Sequence, residues 1–175
     1  METGVSSFFR SVTYGQGEFV AVGGSYIHPS GVITTSTDGK HWKVRRSGLR
    51  AIFRGIAYGD GKFVVVGDDG LILTSKDGED WKASRCSIRA TLTSVAYGNG
   101  CFAAVGEDGI CITSRDGLEW ARQITGVRAY LSSISFDGEF TASGSNIVAR
   151  STHGSLWIVE AGSVPLALQV TVGEK

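Results

Sequence analysis

Residues 58–81 read YGDGKFVVVGDDGLILTSKDGEDW, and residues 97–120 read YGNGCFAAVGEDGICITSRDGLEW. The second stretch repeats the first at an offset of 39 residues, and weaker copies lie on both sides of the pair. A repeat of this length marks a solenoid, a propeller or an array, in which each unit buries its apolar surface only against its neighbours. Every other residue is therefore read by its place in the repeat.

Each copy has four parts, labelled A to D. Part A is an apolar stretch ending in an aromatic: SVTYG at 11–15, GIAYG at 55–59, SVAYG at 94–98 and SISFDG at 133–138. Part B starts with Phe: FVAVG at 19–23, FVVVG at 63–67, FAAVG at 102–106 and FTASG at 140–144. Part C ends in Ser: GVITTS at 31–36, GLILTS at 70–75, GICITS at 109–114 and NIVARS at 146–151. Part D starts with Trp42, Trp81, Trp120 or Trp157. All are short, β-branched or aromatic, and bounded by Gly or acidic turns, which describes strands. No segment keeps a helical period with caps.

Part B is apolar at successive positions, so both sheet faces are buried. Four such strands per 39 residues fit the blades of a propeller, stacked face to face, better than the shorter coils of a β-solenoid. The expected fold is all-β: a β-propeller of four-stranded antiparallel blades over about 7–46, 51–86, 90–125 and 129–160. An extra strand is expected over 166–173, where LALQVTVG follows Pro165. Three arrangements fit this count: a ring closed by the extra strand, a homodimer completing an eight-bladed ring, or part of a longer propeller. A dimer or an incomplete ring is expected over a closed monomer, since an open arc exposes apolar blade faces.

The C-to-D turns read STDGKHW (36–42), SKDGEDW (75–81), SRDGLEW (114–120) and STHGSLW (151–157). They resemble the Asp-box, or BNR, repeat S-x-D-x-G-x-x-W of sialidases, sortilin-type receptors and photosystem II assembly-factor-like propellers, with the residue between Asp and Gly missing. The resemblance covers nearly the whole chain. It implies a structural role for Ser36, Asp38, Trp42, Ser75, Asp77, Trp81, Ser114, Asp116, Trp120 and Trp157. A short Asp accepts backbone N–H groups and sets the turn, and Gly supplies the permissive φ. His153 stands where the other boxes have Asp and reads as a degenerate box.

In such a blade the D–A and B–C loops share one face, and the A–B and C–D turns share the other. On the first face SGLRA, CSIRA and TGVRA place Arg50, Arg89 and Arg128 at equivalent positions. Arg10 and Arg54 form a second equivalent pair, replaced by Thr93 and Ser132 in later copies, and Arg45, Arg46 and Arg85 end the D strands. Guanidinium groups suit bidentate recognition of carboxylate or phosphate. Two readings stand. The arginines pair with Asp68, Asp69, Glu107 and Asp108 of the B–C turns, which regular recurrence favours, or they form an anion-recognition surface. The B–C loop of the first copy is five residues longer than GDDG. It carries Tyr26 and His28, candidate contact residues.

Seventeen basic and seventeen acidic residues leave no bulk field to attract nucleic acid or an anionic membrane. No run approaches the ~18 apolar residues of a membrane span. The first residues lack a signal-peptide pattern, so a cytoplasmic location is expected if the sequence is complete. No phosphate loop, Ser-His-Asp set or calcium loop is present, so no cofactor and no metal are expected. Cys86, Cys101 and Cys111 lack ligand spacing. Two-residue B–C hairpin loops predict Val105 opposite Ile110 and Ala104 opposite Cys111, which puts Cys101 and Cys111 on opposite faces. The expected function is a non-enzymatic scaffold that binds a protein or peptide through the loop face. The alternative implied by the resemblance is a sialidase-like glycoside hydrolase or carbohydrate-binding propeller, although the Arg-Ile-Pro motif of sialidases does not occur.

Overall fold

The computed structural model describes residues 8–26, 30–45, 49–84 and 86–161. Its strands form four separate four-stranded sheets. The first holds β1 (Phe8–Gly15), β2 (Glu18–Ser25), β3 (Ser30–Ser36) and β4 (Lys43–Arg45); the second, β5 (Phe53–Gly59), β6 (Lys62–Gly67), β7 (Ile72–Ser75) and β8 (Lys82–Ala83). The third holds β9 (Leu92–Gly98), β10 (Cys101–Gly106), β11 (Cys111–Ser114) and β12 (Ala121–Gln123); the fourth, β13 (Ser133–Phe136), β14 (Phe140–Gly144), β15 (Ile147–Ser151) and β16 (Ile158–Ala161). Each sheet is an antiparallel meander in chain order, one per repeat. These are the expected blades. Strands β1, β5, β9 and β13 pack side by side in sequence and so form the inner edge of the array. The expected strand at 166–173 lies outside the described residues.

The core is three apolar layers, one at each joint between successive blades. Three contacts recur at every joint. First, the residue after the aromatic of one inner strand is a Gly that receives the aromatic of the next. A Cβ on Gly15 would lie 2.3 Å from the Tyr58 ring, one on Gly59 2.0 Å from Tyr97, and one on Gly98 2.1 Å from Phe136. Second, the second strand of blades 1 to 3 turns two small apolar side chains forward: Val20 and Val22, Val64 and Val66, Ala103 and Val105, all buried. Third, a Thr of the third strand meets the C–D turn of the next blade. Thr74 Oγ1 donates to the Gly117 carbonyl at 2.7 Å, and Ser84 Oγ donates to the same oxygen at 2.9 Å. Thr35 and Thr113 bring a methyl within 3.6 and 3.0 Å of where a Cβ on Gly78 or Gly154 would stand.

The two ends of the array differ. On blade 1 the face turned away from blade 2, its leading face, leaves Val12 and Tyr14 exposed at 59% and 56%. Their equivalents in blade 2 pack against blade 1, with Ile56 at 6% and Tyr58 half-buried. On the trailing face of blade 4 all three joint features have changed. Asp137 follows the aromatic where Gly15, Gly59 and Gly98 stand. Thr141 and Ser143 replace the two small apolar residues, and Arg150 replaces the Thr. Arg150 donates to Glu139 at 3.0 Å and lies 3.9 Å from Glu160. Among the described residues no core layer joins blade 4 back to blade 1.

The B–C connection corrects the expected register. Val105 faces Cys111 and Ala104 faces Ile112, one residue beyond the expected partners. The loop is a three-residue 3-10 turn, Asp68–Gly70 or Glu107–Gly109, closed by Leu71 N–H to Asp68 O and Ile110 N–H to Glu107 O. Asp69 and Asp108 sit at φ 55° and are followed by Gly70 and Gly109 near 70°. Two consecutive left-handed residues favour Asp and Gly. In this register Cys101 and Cys111 point to the same face, because Cys101 lies four residues from Val105 and Val105 is opposite Cys111. The three cysteines are free thiols.

The C–D turns form one hydrogen-bonding unit. In the second, Asp77 Oδ1 accepts from Glu79 and Asp80 N–H, each at 2.9 Å, and from the Ser75 hydroxyl at 2.9 Å. Gly78 N–H donates to Ser75 Oγ at 2.9 Å, and the Trp81 indole donates to the Gly78 carbonyl at 3.0 Å. Asp38 and Asp116 repeat the pattern with Ser36 and Trp42, and with Ser114 and Trp120. The fourth turn keeps only the Ser151–Gly154–Trp157 half. The shortened spacing therefore still builds a closed turn.

These contacts hold the carboxylates below their usual range. The His41 side chain, bonded at 2.6 Å, is the main cause for Asp38; the Asp80 N–H leads for Asp77 and the Glu119 N–H for Asp116. A carboxyl whose pKa is depressed by folding adds stability above its unfolded value, and that stability is lost as pH falls through the folded value. Melting temperature should therefore drop as the medium is acidified below about pH 4. Asp77→Asn with Asp116→Asn should melt lower at neutral pH and show a shallower acid slope. Equal slopes in thermal melts of variant and wild type would remove the turns as the acid-sensitive element.

Candidate functional site on the loop face

The D–A segments are pinned to the B–C turns beneath them. The Ile88 carbonyl lies 1.9 Å from where a Cβ on Gly70 would be, and the Val127 carbonyl 2.0 Å from one on Gly109. Gly109 N–H donates to Ala129 O at 2.6 Å. A side chain at either glycine would push the segment off, and positive φ disfavours one there in any case. With Ile88 and Val127 fixed, the next residues, Arg89 and Arg128, project into solvent, as does Arg50 after Leu49. The 39-residue spacing thus becomes three guanidinium groups on one face.

Blade-to-blade pairing with the turn acids is the expectation that recurrence favours for these arginines, and the structure does not make those pairs. Arg50, Arg89 and Arg128 have no hydrogen bond or ion pair to another described residue. Two of the four acids find other partners: Asp68 takes Arg54, and Glu107 Oε2 accepts the Thr91 N–H at 3.0 Å. Arg54 belongs to a separate cluster. Burial works against its charge, but the Asp68 hydrogen bond and charge, with a smaller contribution from the Tyr26 phenol, raise its pKa above the ordinary value. The Arg10 guanidinium carbon stands 5.1 Å from the centre of the Tyr26 ring, a cation–π contact. Tyr26 of the long first loop thus gathers both arginines of the second set. In later blades the same position is structural: Thr93 donates to the Val105 and Leu131 carbonyls, and Ser132 to the Ser143 carbonyl. His28 lies outside the described residues.

Arg45 is not part of this face. Its Nε donates to Thr35 Oγ1 at 3.1 Å, and its terminal nitrogen reaches Glu79 in the turn of blade 2 and Glu18 at 4.0 Å. It ties blade 1 to blade 2 from the turn side. Strand position alone could not show this, because a long side chain reaches either end of a short strand. Arg46 and Arg85 lie outside the described residues. Cys101 and His153 share an inter-blade groove of 480 Å³ on the turn side. Burial raises the Cys101 thiol and pushes Cys111 up to about 12. A nucleophilic cysteine needs the opposite shift.

No protein-family model matches this chain, and no curated protein matches it by sequence. Solved structures do match it in fold. YCF48 bound to D1 peptide superposes with a TM-score of 0.73 at 14% identity, over 94% of this chain and 56% of that one. YCF48 from Cyanidioschyzon merolae gives 0.70 at 19% identity, over 94% and 59%. The fold is a β-propeller. The WD40 β-propeller domain of Doa1 matches as well, at 0.62 and 13% identity over 90% and 56%. The chain thus spans a little over half the length of each of these propellers. At such identities the likeness is one of fold, and the site must be argued from its own residues.

Proposed function

We propose that this chain is a peptide-binding propeller scaffold whose loop face takes an acidic segment of a partner through Arg50, Arg89 and Arg128. The observation that carries this reading is their state: three repeated, solvent-facing guanidinium groups without an acidic partner among the described residues. An unpaired arginine keeps its donors available for a carboxylate. The Arg10–Tyr26 stack adds an aromatic ring and one further cation, while Arg54 is already held by Asp68. That one propeller of similar fold has been solved with a peptide supports the choice of ligand class. We also read the four C–D turns as Asp-box turns shortened by one residue, with a role in blade geometry. The sialidase-like alternative gains no support from Asp68 and Glu107, which are already engaged.

The test is fluorescence anisotropy with a labelled Asp/Glu-rich peptide and its Asn/Gln counterpart. The acidic peptide should bind, and the neutral one should not. Arg50→Ala/Arg89→Ala/Arg128→Ala should weaken binding at least about tenfold, since each charge-assisted bond is worth ~1.5–3 kcal/mol. Binding should also weaken with added salt. Equal affinity of the triple variant and wild type would refute the arginine reading.

A further inference from the structure

We propose that the leading face of blade 1 is a self-association surface, covered by the same face of a second copy across a two-fold axis. The face is built as a joint. Phe9, Val12, Tyr14, Ala21 and Trp42 occupy the positions that in blades 2 to 4 pack against a preceding sheet. Phe9, Val12, Ala21, Thr34 and Trp42 line a largely apolar groove of 390 Å³ along it. Arg10, the charged residue of β1 on this groove, is drawn aside by its stacking on Tyr26. An apolar sheet face of this kind favours association.

Among the described residues two surfaces could cover it. One is the trailing face of blade 4, from the same chain or from a second copy in a head-to-tail ring. That face is mismatched at each of the three joint contacts. Asp137 stands where the ring of Tyr14 needs a Gly, Thr141 and Ser143 replace the apolar pair, and the Arg150–Glu139 ion pair would be stripped of water against valine and tyrosine. Burying such charges beside apolar groups is unfavourable. The other surface is a second leading face, which matches apolar with apolar. A two-fold contact is self-complementary and closes after two copies. It leaves both loop faces open, so two arginine arcs would be presented together and could bind a repeated acidic ligand with avidity.

The test is light scattering after size exclusion at micromolar concentration, on wild type and two variants. Wild type should show twice the 18.5 kDa chain mass. Val12→Asp, on the leading face, should run at the mass of one chain with an unchanged circular dichroism spectrum, since Val12 is exposed within the single chain. Should that variant lose its β spectrum, Tyr14→Ser makes the same test. Ser143→Lys, on the trailing face, should remain a dimer. A wild type of single-chain mass overturns the proposal. So does a dimer that survives Val12→Asp, or one that Ser143→Lys dissociates, the last being the mark of a head-to-tail ring.

Discussion

Gly59→Ala should destabilise the chain by about 3 kcal/mol, at the upper end of what overpacking usually costs. Its Cβ would stand 2.0 Å from Cγ of Tyr97, well inside contact distance. The Tyr97 ring has little room to retreat, because it leans on Phe102 with ring centres 4.6 Å apart, and Phe102 is fully buried. The clash must then be relieved by moving blade 3 away from blade 2, which opens the apolar layer between them. For a chain of this size the melting temperature should fall by roughly 6–12 °C. Gly61→Ala is the control two residues away. Gly61 has φ +68°, and a methyl group there would meet nothing within 4 Å, so it bears only a backbone cost of about 1 kcal/mol. Adding Tyr97→Ala to Gly59→Ala should recover part of the loss, giving a coupling that two independent sites lack. If Gly59→Ala melts no lower than Gly61→Ala, the ring-on-glycine socket is not what sets the blade spacing.

That socket shows how far the sequence can be read. The four strands per copy, the inner position of part A and the double burial of part B follow from pattern alone, since a strand apolar on both faces has to be covered on both. The glycine after each aromatic is visible as a repeated letter, but its purpose is not. Gly in a turn is usually explained by φ, yet Gly15, Gly59 and Gly98 are not among the positive-φ residues. They are small because a neighbour's ring lies over them. The B–C register escapes the sequence for a related reason. GDDG and GEDG suit a two-residue hairpin as well as a three-residue 3-10 turn, and only the left-handed pair Asp69–Gly70 or Asp108–Gly109 distinguishes them. The arginines divide by reach. The sequence aligns Arg50, Arg89 and Arg128, but whether the B–C acids meet them depends on side-chain direction. The pinned carbonyls of Ile88 and Val127 set that direction.

The changes in blade 4 are also on display in the sequence, as erosion of a repeat. The structure gives them a common location. Asp137, Thr141, Ser143 and Arg150 differ from their counterparts at positions facing away from blade 3, whereas the positions facing blade 3 stay apolar and buried in Leu131, Ile134, Phe140, Ala142 and Trp157. Divergence concentrated on one face of the strands reflects what that face meets. A blade packed on both sides is held to the apolar pattern, and a blade with one polar face is released from it on that side.

Phe102→Ala should cost about 3–5 kcal/mol, whereas Phe19→Ala, the same change at the same repeat position, should cost clearly less. Both rings make the same local contacts. Phe102 sits 4.6 Å from Tyr97 and 6.5 Å from Trp120, and Phe19 sits 4.7 Å from Tyr14 and 6.5 Å from Trp42, measured between ring centres. The difference is the neighbour. Phe102 is fully buried because blade 2 covers it with Val64 and Val66, while Phe19 lies on the leading face of blade 1 and keeps some exposure. In an array whose stability is a sum of blade and joint contributions, the gap between the two variants measures what one joint adds to a ring. It should be read by chemical denaturation at a concentration low enough to separate copies. At higher concentration, association through the leading face should bury Phe19 and narrow the gap. Equal losses at low concentration would mean that the aromatic trio within a blade, and not the joint, carries the stability, and the array would then be four nearly independent sheets.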